Sequence, residues 1–248
     1  MLSGHGFVAE KAGWAKGLAE ALAGLPPRAG LAALYGYALC GSEGCDPLIG
    51  YAAAAVVEAY MLGEPLDTLL AALPRHARSH VEKALSEAED AHVRSPASIY
   101  AQVALDADAL SRMAALGVAH GNKVRRGLGE LLQDLAEAMS WAAASDYVLY
   151  TSTARRYASK TLRPHTLALA KWVAEELALL GYQAVPRTET GSGGIVSYLD
   201  LRRCPCGVAV KEARVKPRPD CIEYILGYEC CGDRVEVAIC TPESTRIK

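Results

Sequence analysis

The sequence predicts a mainly α-helical bundle that is followed by a small antiparallel β domain, an α+β fold overall. The first observation is that apolar residues recur at helical spacing through most of the chain, in segments interrupted by proline and glycine. The second is that short runs of alternating apolar and polar residues appear from Gln183 onward. The helical domain is therefore assigned to residues 1–182 and the β domain to residues 183–248.

Composition sets the function classes that the chain can belong to. Of its 248 residues, 51% are hydrophobic and 22% are charged, and the formal net charge is -2. This balance shows no basic excess, so neither a nucleic acid nor a membrane surface is expected as a partner. The longest apolar stretch, residues 49–57, ends at Glu58 and is too short to span a bilayer. We expect a cytoplasmic protein and leave a homo-oligomer open.

Amide and cysteine usage points to a hyperthermophile. Asparagine occurs once and glutamine three times, which is the depletion of thermolabile amides typical of such proteins. The eight cysteines do not fit this depletion unless they are tied up in disulfides or metal sites. Disulfides occur inside hyperthermophile cells, so both kinds of site stay open.

The helices follow from periodicity and from their breakers. Pro164 lies inside the last long helical pattern, so that helix must kink or split in two. Ser95 and Pro96 are typical of a helix start. The predicted helices cover residues 6–24, 29–39, 48–62, 66–73 and 75–90, a segment after Pro96 that includes 104–120, a segment after Gly129 that reaches 142, and 150–180.

The β domain is predicted from four alternating runs. Turn-forming sequences separate them, namely CPCG, KPRPD and ECCGD. The predicted strands are IVSYLDLR (195–202), VAVKEARV (208–215), CIEYILGY (221–228) and RVEVAIC (234–240).

The segment ALDADALSRMAALGVAH, residues 104–120, places a carboxylate on the apolar face of a predicted helix. Asp106, Leu110 and Met113 fall on one stripe, so the Asp106 carboxylate is directed toward the core. A buried carboxylate needs a partner. That partner is either a metal ion or a structural group, for which Arg155 and Tyr37 are the candidates.

The chain resembles the HD superfamily of metal-dependent phosphohydrolases. The similarity rests on DADAL at residues 106–110, followed by Leu-Gly-Val at 116–118, and on a T-x-x-A-R string at residues 151–155. The resemblance implies that Asp106 is the last metal ligand and that His5 is the first.

The His-Asp pair that names this family is missing. AALYGY, residues 32–37, carries Gly36 and Tyr37 where the pair belongs. Glycine has no ligand atom and tyrosine is a poor ligand for a hard divalent ion, so a metal is disfavoured at this site. We expect a catalytically impaired protein that binds a phosphorylated small molecule or acts as a scaffold. The alternative is an active phosphohydrolase on nucleotides or phosphoesters with a rebuilt metal site.

Basic residues on the late helix are candidates for phosphate binding. Arg156, Lys160 and Arg163 share one face at helical spacing, and Arg155 lies beside them. Two interpretations stay open: these residues bind a phosphate group, or they form a solvent-exposed helix face.

The cysteines form the last candidate set. Cys204 with Cys206 and Cys230 with Cys231 lie in two short turns, where zinc ligands sit in knuckles, although the usual spacing leaves two or more residues between them. Disulfides are the favoured interpretation, and zinc at these cysteines stays open. The two further candidate pairs are a cross-strand bridge between Cys221 and Cys240 and a closed loop between Cys40 and Cys45.

Overall fold

The structure is a computed structural model, and it has helices followed by two small antiparallel sheets, as predicted. It describes residues 6–8, 11, 13–91, 93–114, 127–191, 194–217 and 222–241. The helices are α1 Gly13–Leu22, α2 Pro27–Glu43, α3 Pro47–Met61, α4 Asp67–Ala71, α5 Arg75–Glu89, α6 Ile99–Met113, α7 Leu128–Val148, α8 Ser152–Tyr157 and α9 Arg163–Leu179, with a π-helical turn at Ala158–Leu162. The strands are β1 Gln183–Gly191, β2 Gly194–Arg203, β3 Val210–Pro217, β4 Ile222–Cys230 and β5 Asp233–Thr241.

Packing divides the chain into two compact units. Unit 1 comprises Met1–Ser111 and Leu149–Tyr157, and unit 2 comprises Arg112–Val148 and Ala158–Lys248. The change from helices to strands falls at Gln183, where the sequence indicates it. The packing units do not follow that change, because α7 and α9 pack with the strands in unit 2. A domain boundary at 182, in the sense of independent folding, therefore stays a prediction.

In unit 1 the antiparallel pair α2 and α3 is built on small residues. Gly36 and Gly50 face each other so closely that a Cβ added at Gly36 would lie 2.4 Å from the Gly50 carbonyl oxygen and 2.5 Å from Ala54 Cβ. Arg28 on α2 also forms an ion pair with the buried Glu58 on α3, at 2.5 Å. Close helix packing through small residues, with one ion pair, thus holds these two helices together.

In unit 2 the helices α7 and α9 share a core with both sheets. β1 pairs with β2, and β4 lies between β3 and β5. Strands β2, β4 and β5 contribute buried side chains to this core. Strand β2 is buried on both faces at residues 196–199, and β1 is mostly exposed. The core contains Leu132, Leu135, Met139, Val173, Val196, Tyr198, Leu199, Leu201, Leu226, Tyr228, Val237 and Ile239, among others.

Several features differ from the sequence prediction. Helix α7 begins at Leu128 and ends at Val148, beyond the predicted end at residue 142. Strand β1 was not predicted, because Pro186 lies within it and prolines are tolerated only where a strand forms an edge. Helix α2 extends through Glu43 into the predicted loop and ends at Gly44, whose φ of 78° is left-handed. The last long helix is split by the π-helical turn, so Pro164 begins α9 where its missing N–H is not needed.

No helix within the described residues is long and apolar enough to cross a membrane.

Candidate functional site

Asp106 lies on α6 with no solvent exposure, as its position on the apolar stripe predicts. Its Oδ1 accepts a hydrogen bond from the Tyr150 N–H at 2.7 Å. Its Oδ2 accepts from both the N–H and the hydroxyl of Thr151, at 2.8 and 2.7 Å. Both carboxylate oxygens therefore hold the backbone that leads into α8.

The Asp106 carboxyl is also electrostatically unusual. Burial raises its pKa to about 6, although the three hydrogen bonds and the charge of Arg155 act in the opposite direction. Thr151 in turn caps α8, because its hydroxyl oxygen accepts from the Ala154 N–H at 3.2 Å. The carboxylate thus faces the positive end of a helix, where a negative charge is stabilised.

A second carboxylate, Glu43 at the end of α2, acts on the same helix start. Its Oε1 accepts from the Thr153 N–H at 2.9 Å. The hydrogen bonds from Thr153 lower the pKa of Glu43, and the charge of Arg156 adds to this effect. Two acidic side chains from distant parts of the sequence therefore hold the first turn of α8.

At the two positions expected for the family's His-Asp pair, the chain packs closely against neighbouring residues. Gly36 touches the backbone of α3, so no side chain fits there without moving the helix. Tyr37 packs edge-on against Phe7, with ring centroids 6.2 Å apart. His5, the other expected ligand, lies outside the described residues.

A π-helical turn, Ala158–Leu162, lies within the stretch that carries the four basic candidates. Arg155 and Arg156 lie in unit 1, and Lys160 and Arg163 lie in unit 2. The Arg155 Nε donates to the Leu149 carbonyl at 2.8 Å. The Arg163 guanidinium contacts an Asp146 carboxylate oxygen at 2.7 Å. Both arginines therefore make structural contacts, and Lys160 is solvent-exposed.

The predicted disulfide between Cys40 and Cys45 is confirmed, with a Cα–Cα distance of 4.8 Å. It spans the left-handed Gly44 and joins the last turn of α2 to the residue before Asp46. The Cys45 N–H also donates to the Cys40 carbonyl at 3.0 Å. The bridge therefore stiffens a helix end that is already closed by a backbone hydrogen bond.

The turn cysteines Cys204, Cys206, Cys230 and Cys231 are free thiols. Their sulfur atoms all lie within 4.8 Å of one another, and among the described residues this is the group of His, Cys, Asp or Glu side chains close enough to share a metal ion. Of the remaining predicted pair, Cys221 lies outside the described residues and the description of Cys240 covers only its backbone, which pairs with Glu223.

Sequence reasoning identified Arg155, whose charge acts on Asp106, but not the hydrogen-bond donors of this carboxylate. Tyr150 and Thr151 are 44 and 45 residues away in the chain, and two of the three donors are backbone N–H groups, which every residue type carries. The available signal was Thr151, a residue type that favours helix N-caps.

Comparison with protein-family models, with curated proteins and with solved structures finds no match to this chain.

Proposed function

We propose that this chain is a non-catalytic scaffold protein whose helical part is HD-like and has lost the metal chemistry of that family. The observation that carries the proposal is the use of Asp106. Its two oxygens already accept three hydrogen bonds from residues 150 and 151. A ligand carboxylate has to direct lone pairs at the ion, and this one directs them at a helix start.

The surroundings of the expected metal position support the same proposal. A ligand side chain at Gly36 would overlap the backbone of α3. Within the described part of the chain, no group of three or more potential ligands includes Asp106. Because metal hydrolases use several protein ligands to hold the ion that activates water, a single buried carboxylate does not supply this chemistry.

Two of the four basic candidates, Arg155 and Arg163, support a scaffold over a phosphate receptor. A phosphate clamp needs guanidinium groups that are free to make paired hydrogen bonds to phosphate oxygens. Arg155 uses its Nε for the Leu149 carbonyl. Arg163 bonds the Ala142 carbonyl, the Ser145 hydroxyl and the Asp146 carboxylate.

The test is a hydrolysis assay on the full chain. The purified protein is incubated with Mn²⁺, Mg²⁺, Ni²⁺ or Zn²⁺ and with nucleotides or generic phosphodiesters. We expect no metal-dependent turnover, and no rise in Tm when the same phosphorylated compounds are added, because a bound ligand would stabilise the folded state.

Asp106→Asn is the variant that distinguishes a non-catalytic scaffold from an active phosphohydrolase. It preserves the shape of the side chain, and its folding is checked by circular dichroism before assay. Metal-dependent turnover in the wild type that this variant abolishes, while it remains folded, would show an active phosphohydrolase and overturn the proposal. Asp146→Asn, at an exposed position in unit 2, is the matched control.

A further inference from the structure

Two tight turns in unit 2 bring four thiols together. The first turn follows β2 and carries Cys204 and Cys206, and the second joins β4 to β5 and carries Cys230 and Cys231. A glycine with positive φ follows each pair, Gly207 at 102° and Gly232 at 85°. In both turns, the left-handed glycine reverses the chain directly after the second cysteine.

Cys231 itself is in an unusual conformation. It is the non-glycine residue with positive φ in the described chain, at 55°. Two successive left-handed residues, here Cys231 and Gly232, form the type I′ turn that joins hairpin strands. Non-glycine residues in this region are uncommon and concentrate at functional positions. Asparagine, aspartate or glycine is the usual choice here, so a cysteine needs another reason.

The four sulfur atoms lie close enough together to share one four-coordinate metal ion once the Cys204 and Cys206 sulfurs, 2.7 Å apart, separate by about 1 Å. In a tetrahedral site with metal–sulfur bonds of about 2.3 Å, the sulfurs lie about 3.8 Å apart. The four Sγ atoms lie within 4.8 Å of one another, and those of Cys230 and Cys231 are 3.7 Å apart. The Cys231 N–H also donates to the Cys206 Sγ at 3.0 Å, which links the two turns.

A disulfide explains this cluster less well. Neighbouring Cα atoms are about 3.8 Å apart across a trans peptide bond, below the usual range for a disulfide, so Cys230 and Cys231 are poorly placed to pair. The Sγ atoms of Cys204 and Cys206 are 2.7 Å apart, which is longer than a sulfur–sulfur bond of roughly 2.05 Å. The same structure does form a disulfide at Cys40 and Cys45.

We propose that Cys204, Cys206, Cys230 and Cys231 bind one Zn²⁺ ion as four thiolates. Four sulfur ligands in a tetrahedral arrangement favour zinc, and they leave no open coordination position for a substrate. The ion is therefore structural. It joins the end of the β1–β2 sheet to the β4–β5 hairpin, both within unit 2.

Metal binding has a consequence for one sulfur. As a thiol, Cys204 Sγ donates to the Val208 carbonyl at 2.6 Å. A thiolate has no proton to donate, so this sulfur turns away from Val208 and toward the ion when zinc binds. The proton is released to solvent, as happens whenever a thiol becomes a metal ligand.

The experiment measures metal directly and does not depend on the proposed function. The full chain is purified without chelators from zinc-supplemented medium, and elemental analysis is expected to find one zinc per chain. Apo protein, prepared with chelator and reductant, is then titrated with Co²⁺. We expect the visible absorption of a tetrahedral cobalt–thiolate site and its loss when Zn²⁺ is added.

Cys206→Ser and Cys231→Ser remove one exposed ligand each and are expected to lose the stoichiometric zinc. The matched control is the double substitution of Cys40 and Cys45 by alanine, which removes two cysteines and leaves one zinc per chain. Iron in place of zinc, zinc that persists in both serine variants, or disulfides among the four turn cysteines after anaerobic reconstitution would overturn the proposal. The cobalt titration of the wild type remains decisive if a variant does not fold.

Discussion

Gly36 shows how a single missing side chain decides what a helix pair can do. The hydrogen at its α carbon is all that separates α2 from the Gly50 carbonyl and the Ala54 methyl group on α3. Any larger residue forces the two helices apart. The position that the HD resemblance assigns to a metal ligand is therefore used to bring two backbones into contact.

Gly36→Ala is expected to lower the free energy of unfolding by about 1–3 kcal/mol, because overpacking a close helix contact outweighs the better helix propensity of alanine. Gly41→Ala is the matched control in the same helix. The nearest atom to its added Cβ is Pro47 Cγ at 3.8 Å, so it is expected to be neutral or stabilising. Equilibrium unfolding in denaturant checks both variants. Equal stabilisation by the two substitutions would contradict the close contact.

At the residue scale, the sequence predicted which side chains are buried better than it predicted their hydrogen-bond partners. The stripe through Asp106 is buried, as its spacing indicates, and Leu110 and Met113 are fully buried with it. The bond between Cys40 and Cys45 was also predicted, because eight cysteines in a chain poor in thermolabile amides favour disulfides. What spacing could not predict was that backbone N–H groups would be the main partners of Asp106, since these carry no sequence signal.

The junction of α6 with α8 is the clearest case at the scale of elements. One carboxylate from α6 and one from the end of α2 hold a helix of six residues, which is too short to be stable on its own. The helix exists because side chains from elsewhere satisfy its first N–H groups. Its sequence alone predicted a longer continuous helix, and Pro164 indicated a break without specifying its form.

The titration of Asp106 is expected to appear in the stability of the protein. Its pKa is raised from 3.8 to about 6 in the folded state, so the folded protein holds the extra proton between these values. The contribution of this group to the free energy of unfolding is therefore fully present below about pH 4 and is lost as the pH rises through about 6. For a shift of this size, the loss is on the order of 3 kcal/mol.

Denaturant unfolding of the wild type and Asp106→Asn between pH 4 and pH 7 measures this effect. The variant has no titrating group at this position. As the pH rises, the unfolding free energy of the wild type therefore falls relative to that of the variant. Glu43, whose pKa is lowered, works in the opposite sense in both proteins and cancels in the comparison. A difference that does not change with pH would show that Asp106 titrates normally.

Across the whole molecule, the two packing units do not coincide with the change from helices to strands along the sequence. Helices α7 and α9 belong to the same core as β2, β4 and β5, although the sequence changes character only at Gln183. Periodicity predicts the kind of element and not the element it packs against, so it places the boundary at residue 182. Strand β1 was missed because Pro186 interrupts its pattern, even though eight neighbouring residues complete an edge strand.

A fragment of residues 1–182 is expected to lose cooperative folding of its last helices. The faces of α7 and α9 that carry Leu135, Met139 and Val173 are buried against strands that the fragment lacks. Exposed apolar faces of this size bind hydrophobic dyes and promote aggregation. Dye binding and thermal melts compare the fragment with the full chain. A fragment that melts cooperatively and binds no dye would support an independent helical domain.

The distance in sequence between Asp106 and its partners sets an order of events on the ribosome. Tyr150 and Thr151 are synthesised 44 and 45 residues after Asp106. At common translation rates, this is a delay of about 2–9 s. During that time, the Asp106 carboxylate has no α8 backbone to accept hydrogen bonds from, so water supplies its hydrogen bonds until residues 150 and 151 arrive.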